Sequence, residues 1–250
     1  SMEAQRNRYE ALLSRFERTF PECCRDVRLF SSPGRTEVCG NHTDHNGGRV
    51  LAAAVNLDAI AAASKTDDGI IIIESEGYPR DVVDLKDLSP HPEEKYTSKA
   101  LIRGVASRLS ALGYSVGGFR AVTTSSVLKG SGLSSSAAFE VLVATILSHL
   151  YNEGRISAMT AAEVSQFAEN TFFGKPCGLM DQTTCAYGGF VTIDFKDMKN
   201  PTVRKVGFDF ASCGYALVIV DTGGNHADLT DEYASVAGDM RKVAQVLGGR

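Results

Sequence analysis

The 250-residue chain has no Cys-x-x-Cys pair, no block of basic residues and no apolar run long enough to span a bilayer. Each absence removes a class of protein. Its six cysteines are scattered, apart from the adjacent Cys23 and Cys24, and outline neither a zinc site nor a disulfide framework. Reduced thiols in a cytoplasmic protein are the expectation. A net charge of −4, without an RNA-reading motif, gives no general attraction to nucleic acid. The apolar runs at 51–60 and 70–73 are too short to be membrane spans, so no membrane partner is expected. The polar start Ser1-Met2-Glu3-Ala4-Gln5-Arg6 reads as no secretory signal, with Ser1 as an expression scar. What remains, 43% hydrophobic and 22% charged, reads as a soluble chain with a sizeable core, in one large domain or two small ones.

Also absent is a Walker loop, because no Gly-Lys-Ser/Thr closes the glycine-rich turn Lys129-Gly130-Ser131-Gly132-Leu133-Ser134-Ser135-Ser136-Ala137-Ala138. That turn nevertheless runs straight into an apolar helix. Backbone N–H groups at such a junction can face an anion, and the helix dipole favours negative charge there. Three consecutive hydroxyls add donors and a magnesium contact. The physical reading is a phosphate cradle for nucleotide-dependent phosphoryl transfer. A flexible loop capped by serine has the same composition.

Periodicity predicts helices over residues 3–18, 96–112, 137–150, 157–172 and 230–247, and strands over 27–30, 118–124, 189–195 and 215–220. Residues 31–49 and 174–189 read as long Gly-rich loops. The stretch 51–64 has helix-favouring alanines, but Val55, Leu57, Ala59 and Ala61 alternate as in a strand. Asp67-Asp68-Gly69 then suggests a hairpin turn into 70–73. The pattern is α+β with a layered sheet. The last helix presents Tyr233, Val236, Met240, Val243 and Leu247 as an apolar stripe, expected either to belong to an incomplete second domain or to dock back on the core.

Three further clusters carry polar chemistry. Gly34-Arg35-Thr36-Glu37-Val38-Cys39-Gly40-Asn41-His42-Thr43-Asp44-His45-Asn46 mixes guanidinium, carboxylate, amide and imidazole, as a hydroxyl-rich ligand requires. Asp44 would accept from vicinal hydroxyls and Arg35 would hold a phosphoryl group. Internal Asx and Thr bonds are the structural alternative, and no third ligand supports His42 and His45 as a metal pair. Glu169 and the loop Gly174-Lys175-Pro176-Cys177-Gly178-Leu179-Met180-Asp181-Gln182 supply the two carboxylates that phosphoryl transfer from a magnesium nucleotide needs. Glu169 suits the metal and Asp181 the attacking hydroxyl; a solvated helix-end glutamate is the alternative for Glu169. The segment 221–233 is a polar loop leading into a helix, with Tyr233 able to reach a ligand hydroxyl or the core.

These clusters, in this order, resemble the N-terminal part of the galactokinases, within the kinase family that also holds homoserine, mevalonate and phosphomevalonate kinases. Pro33-Gly34-Arg35 through Asn46-Gly47-Gly48 resembles the galactokinase signature loop. Residues 129–138 resemble the family's phosphate motif, and Cys177-Gly178-Leu179-Met180-Asp181-Gln182 resembles the loop of the galactokinase aspartate. The resemblance implies a two-layer α+β kinase domain over 1–210 that binds sugar and phosphate. Residues 211–250 would begin an incomplete C-terminal domain. It implies ATP and Mg²⁺, a sugar substrate and a sugar 1-phosphate product. Arg35 and Asp181 would be the catalytic pair, with Asp181 the base for the anomeric hydroxyl. Asn41, His42, Asp44, Asp181 and Tyr233 would bind sugar; Gly130, Ser131, Gly132, Leu133, Ser134, Ser135 and Ser136 would line the phosphate loop; Ser136 and Glu169 would face magnesium.

Two departures bear on function. Asn41 stands where the usual signature has glutamate, and Glu37 where it has asparagine, which opens the reading to sugars such as N-acetylgalactosamine or arabinose. Family members are also much longer, so the 250-residue piece is expected to be inactive by itself. A sugar-sensing regulator is the alternative from another class, and a plain structural fragment is the last; the intact Arg35 and Asp181 favour the enzyme. Asn41→Glu should shift preference toward galactose if the natural sugar is a different one. Hydrogen bonds to a charged partner are worth roughly 1.5–3 kcal/mol, so kcat/KM for one sugar against another should move by about tenfold or more. Galactose, its 2-acetamido and 6-deoxy analogues, and arabinose compared in both backgrounds provide the measurement. An unchanged ranking would mean that Asn41 does not read the sugar.

Overall fold

The alanine-rich stretch that periodicity left ambiguous is the central strand of the protein. A computed structural model describes residues 2–40, 43–128, 130–220 and 230–248. In it β2 (Arg49–Lys65) is 17 residues long. Ala59, Ala61 and Ala63 face one hydrophobic cluster while Ile60 and Ala62 face another. A strand buried on both faces reads as a near-continuous apolar run, and its small residues let helices approach closely.

Antiparallel pairing joins β1 (Arg28–Cys39) to residues 51–63 of β2. The other edge of β2 is therefore shared end to end by β6 (Phe190–Asp194) at 49–53 and β5 (Phe119–Ser125) at 59–65. Outward from β5 lie β3 (Ile70–Ser75), parallel to it, and β4 (Asp81–Asp84), antiparallel to β3. Beyond β6 lies β7 (Thr202–Val206). The result is a seven-stranded mixed sheet.

Helices α2 (Ser98–Ala111) and α3 (Ser135–Tyr151) cover one face through Ile102, Val105, Leu109, Leu142 and Ile146. The helical layer continues with α4 (Ala158–Phe167) and α5 (Met180–Tyr187), where Ala162, Leu179 and Met180 meet Val50, Ala52, Val191 and Ile193. Against Ile60, Ala62 and Val122 on the opposite face, α1 (Met2–Thr19) sets Leu12 and Phe16. The expected two-layer α+β arrangement thus gains α1 as a third, partial layer. No helix among the described residues is long and apolar enough to cross a membrane.

Several sequence expectations need correction. Residues 31–39 are not loop: they extend β1, with register shifts at Pro33/Arg35 and Glu37/Cys39. Among the described strands β1 pairs with β2 alone, and an edge strand with bulges tolerates proline and glycine. The 67–69 turn does not make a hairpin, because β5 inserts between β2 and β3. The 174–189 stretch contains helix α5. Residues 215–220 form no strand; Tyr215, Leu217, Val218 and Val220 are exposed, and no described strand offers them a ladder. The last helix, α6 (Thr230–Val246), forms as expected, but Met240, Val243 and Leu247 of its stripe stand exposed, so that part of the stripe does not dock on the core.

Close approach of α2 to the residues after α4 positions the candidate site. A Cβ on Gly104 would lie 2.7 Å from Cβ and 2.8 Å from Cα of Ala168, the residue preceding Glu169. Gly104→Ala should destabilise the protein. Overpacking costs about 1–3 kcal/mol and outweighs the roughly 1 kcal/mol that alanine contributes to helix propensity. Urea unfolding measures the balance; a variant more stable than wild type would show that the two segments separate without cost.

Candidate active site

The outward N–H of Arg35 on edge strand β1 donates to Leu133 O (3.0 Å), so the serine loop caps the strand at that point. The approach is tight: a Cβ on Gly34 would sit 2.9 Å from the same carbonyl. This backbone contact brings Arg35 and the start of α3 together. The Arg35 side chain then forms a two-pronged pair with Asp181, Nε to Oδ1 at 2.7 Å and Nη2 to Oδ2 at 2.8 Å, while Nη1 donates to Gly132 O at 2.6 Å. One guanidinium therefore joins β1, the serine loop and the first turn of α5.

Ser134 completes this pair. It is the N-cap of α3 but has left-handed backbone (φ 58°, ψ 58°) and makes no side-chain cap. Its hydroxyl donates to Asp181 Oδ2 instead. A non-glycine residue held in that region costs about 1–3 kcal/mol and persists where its surroundings over-determine it. The first N–H groups of α3 are consequently left without a side-chain acceptor from the cap. Burial raises the proton affinity of Asp181, but the Arg35 charge and the hydrogen bonds from Arg35 and Ser134 hold its carboxyl below the usual range.

A second carboxylate group lies behind the first. Glu169 sits on a single π-helical stretch, Ala168–Phe173, that continues α4. Such turns shift the side-chain register and recur at functional sites. Its Oε1 accepts from Ser136 Oγ (3.1 Å) and its Oε2 from Gln182 Nε2 (2.8 Å). Gln182 Nε2 also lies 3.3 Å from Glu140 Oε2. Glu140 is fully buried, and its Oε1 has no hydrogen-bond partner. Desolvation and then the neighbouring Glu169 push the Glu140 carboxyl well up; burial likewise raises Glu169, while Lys175 draws it back. The Cys177 thiol, beside both, is raised by burial and by these carboxylates, which keeps it protonated and unreactive.

Asp44, in the short 3₁₀ turn Asp44–Asn46, is buried. Its Oδ1 accepts from the His45 N–H and from His45 Nδ1, both at 2.9 Å. Its Oδ2 is set against the backbone of Gly178, where a Cβ would lie 1.8 Å away. The signature loop and the loop before α5 thus interlock, and only glycine fits at 178. Asn41, His42 and the side chain of Tyr233 lie outside the described residues.

The structure therefore unites Arg35, Gly132, Leu133, Ser134 and Asp181 in one cluster, and Ser136 and Glu169 in an adjoining one. It differs from expectation in two respects. The Arg35 fork is closed on Asp181, and the Ser134 hydroxyl faces Asp181. Glu140 and Gln182 were missed. The available signal was a glutamate placed among Ala137, Ala138, Val141 and Leu142 in an apolar helix, where burial without a partner is costly. Among the described residues no group of three or more His, Cys, Asp or Glu side chains could hold a metal.

Residues 14–65 match the profile described as the galactokinase galactose-binding signature, and residues 100–189 that of the GHMP kinases N terminal domain. The fold is that of small-molecule kinases: mevalonate kinase from Methanococcus jannaschii shares it at a TM-score of 0.64 over 90% of this chain and 74% of that one, at 17% identity. Lactococcus lactis galactokinase complexed with galactose superposes at a TM-score of 0.72, with 26% identity, over 81% of this chain and 53% of that one. Galactokinase from Streptomyces coelicolor is 36% identical over 225 residues, 88% of this chain and 57% of that protein; the Lactobacillus helveticus enzyme is 32% identical over 245 residues, 95% and 62%. The chain belongs to the galactokinase/GHMP-kinase family. It spans about half the length of the curated relatives it matches.

The raised proton affinity of Glu140 sets a pH dependence. Its neutral form is favoured in the fold, so its contribution is fully present below the ordinary glutamate value of 4.5 and is lost as pH rises through the raised folded value. Glu140→Gln should remove that loss. The difference in Tm between variant and wild type should grow more positive from pH 5 to pH 8, by a few degrees per kcal/mol for a chain of this size, roughly 2–4 °C. A difference flat across that range would show that another group titrates.

Proposed function

We propose that this chain forms the sugar- and phosphate-facing part of a sugar kinase. The reaction would transfer the γ-phosphoryl group of ATP to the anomeric hydroxyl of galactose or a related sugar, giving the sugar 1-phosphate. The observation that carries the reading is the Arg35–Asp181 pair, closed by Ser134 and lying within the two stretches that match the family profiles. A carboxylate held below its usual range is an ionised hydrogen-bond acceptor and a weak resting base. Asp181 would orient the sugar hydroxyl and take its proton only as the bond to phosphorus forms. Arg35 would keep Asp181 ionised and pointed, and steady charge next to the serine loop.

ATP enters as its magnesium complex, which supplies the phosphoryl group and neutralises its charge. The residues present fit it. Ser136 and Glu169 offer the hard oxygen donors that Mg²⁺ takes alongside phosphate, and the first turn of α3, with Gly130, Ser131, Gly132, Leu133, Ser134 and Ser135 before it, offers N–H groups to an anion. On the sugar side, Asp44 Oδ2 is the remaining acceptor of that carboxylate, joined by Asn41, His42 and Tyr233 from the resemblance. A cytoplasmic setting belongs to the same proposal, on the scattered spacing of the cysteines in the sequence.

Residues 1–210 would be the sugar and phosphate domain and 211–250 the start of another. The exposed apolar run at 215–220 and the exposed side of α6 support that division. They also support a second reading for the 250 residues taken alone: sugar and nucleotide binding without turnover, since half a cleft does not exclude water from a phosphoryl group.

Calorimetry with galactose, 2-acetamido and 6-deoxy galactose, arabinose and MgADP, paired with a phosphorylation assay, tests both readings on the 250-residue chain. Binding of one sugar with background transfer is the expected result. Turnover at an ordinary kcat, about 1–10³ s⁻¹, would overturn the non-catalytic reading. In that event Asp181→Asn should cost about 10²–10⁴-fold in kcat, and a loss below tenfold would remove its role as base. A folded chain that binds none of these ligands would sink the proposal as a whole.

A further inference from the structure

Between the two carboxylate clusters lies Gln182, a fully buried side chain to which the proposed reaction gives no part. Its Nε2 is 2.8 Å from Glu169 Oε2, 3.3 Å from Glu140 Oε2 and 3.5 Å from Cys177 Sγ. The other Glu169 oxygen, Oε1, is the one that meets Ser136 Oγ. The Glu169 carboxyl is thus held at the back by an amide and presented at the front to the serine loop. Glu140 lies four residues after Ser136 on α3, hence on the same face of that helix, and closes the rear of the arrangement. Cys177 Sγ also reaches Glu169 Oε2, at 3.6 Å, but a thiol is a weak donor.

We infer that Gln182 is the positioning residue that aims Glu169 at Ser136, by tying the rear oxygen of Glu169 with an N–H that the neighbouring Glu140 carboxyl shares. The inference rests on the reading of Glu169 and Ser136 as the magnesium-side residues. Without the amide, the rear oxygen of Glu169 loses its 2.8 Å tie and is left beside the Glu140 carboxyl in a buried gap. With nothing fixing its rear oxygen, the Glu169 carboxyl rotates out of its alignment with Ser136. Position in the chain adds a consequence. Asp181 and Gln182 are consecutive in the first turn of α5, and one points to Arg35 while the other points to Glu169. A single helical turn therefore sets the spacing between the sugar-side carboxylate and the magnesium-side carboxylate.

The test uses the 250-residue chain and four forms: wild type, Gln182→Met, Glu169→Gln and the double variant. Gln182→Leu stands in should the methionine variant fail to fold. Two readouts are taken, the affinity for Mn²⁺·ADP by electron paramagnetic resonance and the crystal structure of each folded variant. The inference expects Gln182→Met to weaken Mn²⁺·ADP binding by about tenfold or more, the usual range for a residue that orients a ligand. It expects the double variant to bind no worse than Glu169→Gln, and the Glu169 carboxyl to turn from Ser136 in the Gln182→Met crystal. Losses that multiply in the double variant, or a Glu169 that stays against Ser136, overturn it. Failure of the underlying reading looks different. If wild type and Glu169→Gln bind Mn²⁺·ADP alike, Glu169 is no magnesium-side residue, and the crystal of Gln182→Met alone decides whether Gln182 positions it.

Discussion

The Arg35–Asp181 pair is the interaction on which the arrangement of this protein's polar end depends. Its two partners are 146 residues apart in the chain and come from an edge strand and from a helix that packs over the sheet. The pair is partly buried, with 14% and 28% of the two side chains exposed, so removing one partner should cost between the about 0–1 kcal/mol of a surface bridge and the roughly 3–5 kcal/mol of a fully buried pair. Geometry matters more than that sum. Two parallel N–H···O bonds fix the plane of the carboxylate, and the remaining Arg35 nitrogen holds Gly132 O. The strand edge, the serine loop and α5 are thereby set against one another before any ligand arrives.

Electrostatics then divides the carboxylates by environment. Asp181 has a guanidinium and a hydroxyl on it and stays ionised. Glu169 and Glu140 have each other, an amide and a buried surround, and both are pushed toward the neutral form. Opposite shifts within one small region are how acid–base roles separate at functional sites. The neighbours that create the division are ordinary side chains brought in by helix packing. Gly34 against Leu133, Gly104 against Ala168 and Gly178 against Asp44 are close approaches in that packing.

Much of the fold was legible where periodicity was long and the core face continuous, as in α1, α2 and α3. It failed where tertiary pairing overrode local signals. Pro33 and Gly34 read as loop, yet lie in β1, because an edge strand with bulges accepts both. Asp67-Asp68-Gly69 read as a hairpin, yet β5 arrives from 50 residues later to separate the two strands. Tyr215, Leu217 and Val218 have strand composition, but composition provides no partner, and the segment stays out of the sheet.

The candidate site followed the same rule. Sequence alone determined the chemical inventory: a Gly- and Ser-rich turn into an apolar helix, an arginine and an aspartate in glycine-bounded segments, a glutamate near a helix end. Those are local properties, since backbone freedom, capping and side-chain type are set within a few residues. Which oxygen faces which donor was decided only by the tertiary structure. The Arg35 fork closes on Asp181 rather than standing open, Ser134 turns its hydroxyl from the helix cap to the same carboxylate, Glu140 enters the site from a helix position that looks like core, and Gln182, beside Asp181 in sequence, turns to Glu169 instead. Hydrogen bonds are directional over about 3 Å, whereas composition and spacing along the chain are not, so partners drawn from β1, α3, the π-helical turn and α5 exist only once the sheet and its helices have been packed.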